Sequence, residues 1–129
     1  IAPAGRRVTV VGRSLVIGRP AALLLTRADA TVTLCHRKTP DLAARCRDAD
    51  ILLAAAGAPG LITTDFVRPG QIVLDAGATA LPDGTLRGDV APDAAAIAVC
   101  TPVPGGIGSV TTALLLRHTV QAAENLRHF

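Results

Sequence analysis

Five short apolar runs, interleaved with stretches of helical periodicity, constrain this chain more than any other feature. They are RVTVVG (7–12), TVTLC (31–35), ILLAAA (51–56), QIVLDA (71–76) and IAVC (97–100). Strands that are apolar at nearly every position are buried on both faces, and such strands run parallel beneath helices. After the first run, Pro20 suits the opening turn of a helix, and Ala21, Leu24, Leu25 and Ala28 follow at helical spacing. Thr39-Pro40-Asp41 opens a second helix with Leu42, Cys46 and Ala49 on one face. A short helical turn is expected at Thr63–Val67, and LPDGTLRGDV (81–90) reads as a turn-bearing excursion centred on Asp83-Gly84. A long final helix carries Val110, Ala113, Leu116, Val120 and Ala123 along one side.

This alternation predicts an α/β fold: a Rossmann-like three-layer α/β/α domain with a mainly parallel, doubly wound sheet. The 129 residues suffice for one such domain. Half of them are hydrophobic, yet Phe66 and Phe129 are the only aromatics, so Ala, Val, Leu and Ile must build the core. No apolar run approaches the roughly 18 residues of a membrane span, which predicts a soluble protein. Thirteen basic against ten acidic residues, without a basic run or stacking aromatics, argue against a nucleic-acid surface and leave the surplus for a local anion site. Cys35, Cys46 and Cys100 lack metal-ligand spacing and read as reduced core thiols in a cytoplasm-like compartment. The absence of methionine and the linker-like start IAPAGRR fit a domain cut from a longer chain.

Parallel sheets bind ligands beyond the carboxyl ends of their strands, and here glycines gather at those ends: Gly12, Gly57 (after Ala56), Gly77 and Gly105-Gly106. In VVGRSLVIGRP (10–20), Gly12 permits a tight turn and the following helix aims free N–H groups at it, an arrangement suited to a pyrophosphate. The spacing from Gly12 to Gly18 departs from G-x-G-x-x-G, and a plain strand-to-helix turn reads the same way. Arg13 and Ser14 add a cation and a hydroxyl donor. An NAD domain places a carboxylate at the end of its second strand, about 20 residues past the glycines. This chain has Cys35-His36-Arg37-Lys38 there, three potential cations that favour a 2′-phosphate and hence NADP; a solvated basic turn is the alternative. TPVPGGIG (101–108) is either a rigid ledge for a flat ring such as nicotinamide or a structural turn.

Five stretches together resemble the bifunctional methylenetetrahydrofolate dehydrogenase/methenyltetrahydrofolate cyclohydrolase family: VVGRSLVIGRPAALLL (10–25), ATVTLCHRKT (30–39), ADILLAAAGAPGLI (49–62), GQIVLDAGATALPDGTLRGDV (70–90) and TPVPGGIGSVTTALLL (101–116). The resemblance implies that this is the carboxyl-terminal cofactor domain of an enzyme oxidising 5,10-methylenetetrahydrofolate and hydrolysing the methenyl product to 10-formyltetrahydrofolate. In that family a missing amino-terminal domain supplies the catalytic Tyr and Lys and most of the folate pocket, so this domain alone is expected to be inactive. The resemblance further implies a homodimer. By position it makes Gly12, Arg13 and Ser14 cofactor contacts, with Arg13 and Arg37 facing the 2′-phosphate; the glycine turns and the basic turn add Gly18, His36, Lys38, Ala56, Gly57 and Gly77 to the expected cofactor site. Relatives with arginine at the place of Arg37 include users of NAD with a bound phosphate ion, so NAD stays possible. Ala78 falls where the family has isoleucine, and Gly105, Gly106 and Thr111 border nicotinamide and folate.

Two departures stand out. The family's G-I-N is here Gly77-Ala78-Thr79, which thins the cofactor wall, and Ser109 replaces a proline, where it is expected to cap the final helix. A Rossmann domain of a dehydrogenase for another metabolite and a non-catalytic nucleotide-binding module are the competing readings. His36 reads as cofactor-side or solvated rather than a catalytic base, and His118 and His128 as surface residues of the last helix. Asp75 and Asp89 are expected to accept bonds from neighbouring loop amides.

Overall fold

The computed structural model describes residues 1–126, so His128 and Phe129 lie outside the described residues. Its main sheet holds five parallel strands in the order β2-β1-β3-β4-β7: β1 (Arg7–Val11), β2 (Thr31–Cys35), β3 (Ile51–Ala54), β4 (Ile72–Asp75) and β7 (Val99–Cys100). Helices α1 (Gly18–Arg27), α2 (Leu42–Arg47), α3 (Pro92–Ile97) and α4 (Ile107–Leu126) and a 3₁₀ turn at Thr64–Phe66 fill the connections. The excursion centred on Asp83-Gly84 is a small antiparallel hairpin of β5 (Thr79–Ala80) and β6 (Leu86–Arg87). This is the doubly wound α/β class that the apolar runs predict.

Because side chains alternate along a strand, each run supplies two faces. Val8 and Val10 of β1 and Ile51 and Leu53 of β3 pack with Ala21, Ala22 and Leu25 on α1's side. Val11, Leu52, Ala54 and Val73 pack on the opposite side with Cys46, Val67 and Ala94, contributed by α2, the 3₁₀ segment and α3. All three cysteines are free, with Cys35 and Cys46 buried and Cys100 half-buried. Burial pushes every thiol up, Cys46 to about 12, which agrees with inert packing groups.

Two expectations need correction. The fifth strand is confined to Val99–Cys100, since Ile97 ends the helix begun by Pro92 and Asp93. Proline in the first turn with an acidic neighbour favours that start, and the alanines after it are good helix formers. The stripe on α4 is present but is not buried against this domain: Val110, Leu116 and Val120 are 59%, 65% and 57% exposed. His118 is exposed as expected.

Polar groups tie the layers together. The carboxyl end of α2 leaves carbonyls without helical partners. Gln71, 1% exposed, donates from Nε2 to Cys46 O (2.7 Å) and Ala49 O (2.9 Å), and Thr9 Oγ1 donates to Arg45 O (3.0 Å). Gln71→Leu removes two buried hydrogen bonds, although Cys46 O keeps the Ala49 amide and Ala49 O keeps the Arg68 guanidinium, so a loss of about 1–3 kcal/mol is expected in urea unfolding. Asp50 accepts from the Arg7 guanidinium and the Arg7 amide, both at 3.0 Å, and these bonds pull its carboxyl down to about 2. The folded value lies below the unfolded one of about 3.9. The contribution is therefore complete above about pH 4 and lost as pH falls towards about 2. Its size is modest because Arg7 is 61% exposed. Asp50→Asn should lose this modest contribution at neutral pH, and its deficit against the unaltered protein should close as pH falls towards about 2 in a stability-versus-pH curve.

Candidate cofactor site

The strand order places a switch point between β1 and β3, since the chain leaves β1 towards β2 and later returns to β1's other edge. Gly12 sits at that point with φ +123°, a conformation that L side chains rarely adopt. A Cβ on Gly12 would run into the Ala55 carbonyl, and one on Gly18 would run into the Gly12 carbonyl. Both glycines are therefore set by close packing of strand end, turn and helix. Gly12 N also donates to Cys35 O at 3.0 Å, which brings the end of β2 and its basic turn directly beside the first turn.

Ser14 organises the start of α1. Its Oγ accepts from Ile17 N (3.0 Å) and Gly18 N (3.4 Å), while its carbonyl accepts from Arg19 N (3.0 Å). Pro20 has no N–H, so the amides at this helix start are already accounted for. The expectation of free helix-terminal N–H groups is corrected accordingly. What reaches a ligand is the helix dipole and the Ser14 hydroxyl proton, left over because Oγ acts only as acceptor towards the two amides.

Arg13, Arg37 and Lys38 are exposed, and the ion pairs among the described residues join Asp50 to Arg7 and Arg68 instead. His36 is half-buried and tied into the turn by three hydrogen bonds. Its Nδ1 accepts the Lys38 amide at 3.1 Å, its amide donates to Thr39 Oγ1 at 2.9 Å, and Thr39 N donates to its carbonyl at 2.8 Å. The imidazole thus shapes the turn while two cations face solvent.

On the other side of the switch point lies a groove of about 840 Å³ between α1, the end of β4 and the loop 101–106. Ile17, Leu24, Ala78, Val103, Gly105 and Thr111 are among the residues lining it. Gly77 and Gly106 also line it, so the structure brings the predicted nicotinamide-side residues together. The small side chain of Ala78 leaves that wall thin. Thr111 Oγ1 donates to Ile107 O (3.0 Å) within α4. Since α4 begins at Ile107, Ser109 lies inside its first turn, not at the expected cap position.

The carboxylates expected to serve loop amides do so extensively. Asp89, fully buried, accepts from Ala56 N (2.6 Å), Gly57 N (3.0 Å) and Ala58 N (2.8 Å). Asp75, 4% exposed, accepts from Gly77 N (2.9 Å), Asp89 N (3.0 Å) and Val90 N (3.0 Å). The amides of Ala56 and Gly57 are consequently spent, and these exposed residues can meet a ligand only through carbonyls and apolar surface. Among the described residues no group of three or more His, Cys, Asp or Glu could hold a metal ion. A basic turn, a tight glycine junction and an apolar groove in a row match the parts of a phosphorylated dinucleotide.

The family profile described as "Tetrahydrofolate dehydrogenase/cyclohydrolase, NAD(P)-binding domain" matches residues 1–127. This chain belongs to that family. The bifunctional protein FolD 1 of Rhodococcus jostii is 61% identical over 127 residues, covering 95% of this chain and 42% of the relative. The bifunctional protein FolD of Chloroflexus aurantiacus is 57% identical over 122 residues, covering 92% and 42%. The chain therefore spans less than half the length of these curated relatives. Among solved structures, the bifunctional FolD of Campylobacter jejuni superposes with a TM-score of 0.89 at 41% identity, covering 96% of this chain and 45% of that one. The Trypanosoma brucei methylenetetrahydrofolate dehydrogenase-cyclohydrolase, solved with NADP cofactor and an inhibitor, gives 0.83 at 42% identity, covering 93% and 44%. The architecture and the family are thus the ones expected from the five stretches.

At the junction of this family domain, Gly12→Ala should be severely destabilising, by about 3 kcal/mol or more, since it joins backbone strain to a steric clash. Thermal unfolding of the variant beside Gly57→Ala checks this. A Cβ on Gly57 meets nothing within 4 Å, so that change carries strain (φ +65°) without a clash and should cost less.

Proposed function

We propose that this chain is the NADP-binding part of an enzyme that oxidises 5,10-methylenetetrahydrofolate to the 5,10-methenyl form and hydrolyses that product to 10-formyltetrahydrofolate. The observation that carries the reading is the family match over residues 1–127. The doubly basic turn at the end of β2, with no carboxylate in the NAD position, supports the choice of cofactor. In this reading Arg13 and Arg37 flank the 2′-phosphate, with Lys38 adding charge, and His36 holds their turn in shape. Ser14 donates its hydroxyl proton to the pyrophosphate and transmits the dipole of α1. Gly12 and Gly18 let the backbone approach, while Ala56 and Gly57 offer an apolar edge. Gly77, Ala78, Gly105, Gly106 and Thr111 border the nicotinamide.

NADP bound along this edge supplies the acceptor for the hydride leaving the methylene carbon. The protein's part is to orient that acceptor, exclude water from the apolar groove and hold the anionic end. The catalytic groups and most of the tetrahydrofolate pocket belong, in this reading, to an amino-terminal domain outside this chain. The whole protein would then work in the cytoplasm as a homodimer in one-carbon metabolism, feeding purine biosynthesis.

Calorimetric titration with NADPH and NADH side by side tests the cofactor assignment. NADPH should bind at least about tenfold more tightly, about 1.4 kcal/mol. Arg37→Ala should remove most of that preference while leaving NADH affinity nearly unchanged. Equal affinities in the unaltered protein would overturn the 2′-phosphate site and move the assignment to NAD.

A further inference from the structure

We infer that Asp89, braced by Asp75, is a positioning residue for the cofactor: two buried carboxylates clamp the loop after β3, the end of β4 and the base of the hairpin into one rigid wall. The inference rests on the cofactor site proposed above and adds residues outside the set assigned to it.

The clamp is continuous. Thr101 Oγ1 accepts from Asp75 N (2.8 Å), tying β4 to the loop that borders the groove. Asp75 takes the amides of Gly77, Asp89 and Val90, and Asp89 takes those of Ala56, Gly57 and Ala58, 31 to 33 residues away. A parallel bridge between Ile62 and Val90, with Ile62 N donating to Asp89 O at 2.9 Å, holds the second carboxylate in place. The clamped loop touches the first turn, where Ala55 O blocks any side chain at Gly12. Hydrogen bonds and packing thus run unbroken from the loop at Thr101 to the dinucleotide turn.

A carboxylate suits this task better than an amide. Its two oxygens are acceptors only, so three N–H groups can converge on it, whereas asparagine would turn an NH₂ donor towards at least one of them. Buried charge on several amides is costly to disturb, which keeps the wall in a single conformation. With the Ala56 and Gly57 amides turned inward, the face left to the cofactor is fixed in shape rather than rich in donors.

The test measures NADPH affinity and amide hydrogen exchange for Asp89→Asn, Thr101→Val and the control Thr9→Val, at a temperature where all remain folded. Thr9 is buried beneath α2 and touches none of the clamp. Asp89→Asn should weaken NADPH at least about tenfold and expose the amides at 56–58 to exchange, while the β1 and β3 amides stay protected. Thr101→Val, a gentler cut that preserves side-chain shape, should weaken NADPH about threefold and keeps the test decisive where Asp89→Asn does not fold. Thr9→Val should lose stability yet hold its affinity within about twofold. The inference is overturned if the loop amides exchange freely while NADPH binds within twofold of normal, or if Thr9→Val weakens binding as much as the clamp variants. Failure of the unaltered chain to bind NADPH would instead bring down the cofactor assignment, and this inference with it.

Discussion

The approach of two backbones at Gly12 sets the geometry on which the remainder of the site depends. The Ala55 carbonyl occupies the space a side chain would need there, and the Gly12 carbonyl does the same to Gly18. With both side chains absent, α1 starts close against the ends of β1 and β3 and its dipole falls on the switch point. Ser14 then satisfies the amides of that helix start within the turn. The proposed anion site would rest on field, hydroxyl and arginines instead of a cradle of bare N–H groups. Such a site should depend more on ionic strength than one built from amides, because its cations are exposed.

Much of the architecture was readable because parallel strands buried on both faces need nearly continuous apolar runs, and Val, Ile, Leu and Ala supply them here. The strand ends were less clear: alanines such as Ala55 and Ala56 extend the apolar run without extending the pairing. Helix α3 escaped because PDAAAI is six residues of weak amphipathicity, and Ile97 carries the β-branched signature of the strand beyond it. The final helix showed its stripe clearly, yet periodicity says only that a face is apolar and not what lies against it.

Within the site, residues acting through their own loop were visible and residues acting across the chain were less so. Gly12, Arg13, Ser14 and Arg37 stand in local patterns whose chemistry can be argued from neighbours. Asp89 was expected to bond amides, but nothing nearby in RGDV tells that its partners lie at Ala56–Ala58. Gln71 looked like part of a strand, and its task at the end of α2 appears only once the helix lies over the sheet. His36 stands beside Arg37 and Lys38 in the sequence as one more basic residue, and only the turn's geometry shows its Nδ1 meeting the Lys38 amide.

The strand order has a consequence for how such a domain comes off the ribosome. β1 emerges first and becomes the sheet's interior; β2 joins one edge, and β3, β4 and β7 add in turn to the other. No later strand has to wedge between two that have already paired. Each addition finds an open edge made by its predecessor, so the sheet can grow outward in the order of synthesis. That sequence of additions shortens the time during which apolar strands wait unpaired, the interval in which parallel sheets are most exposed to aggregation.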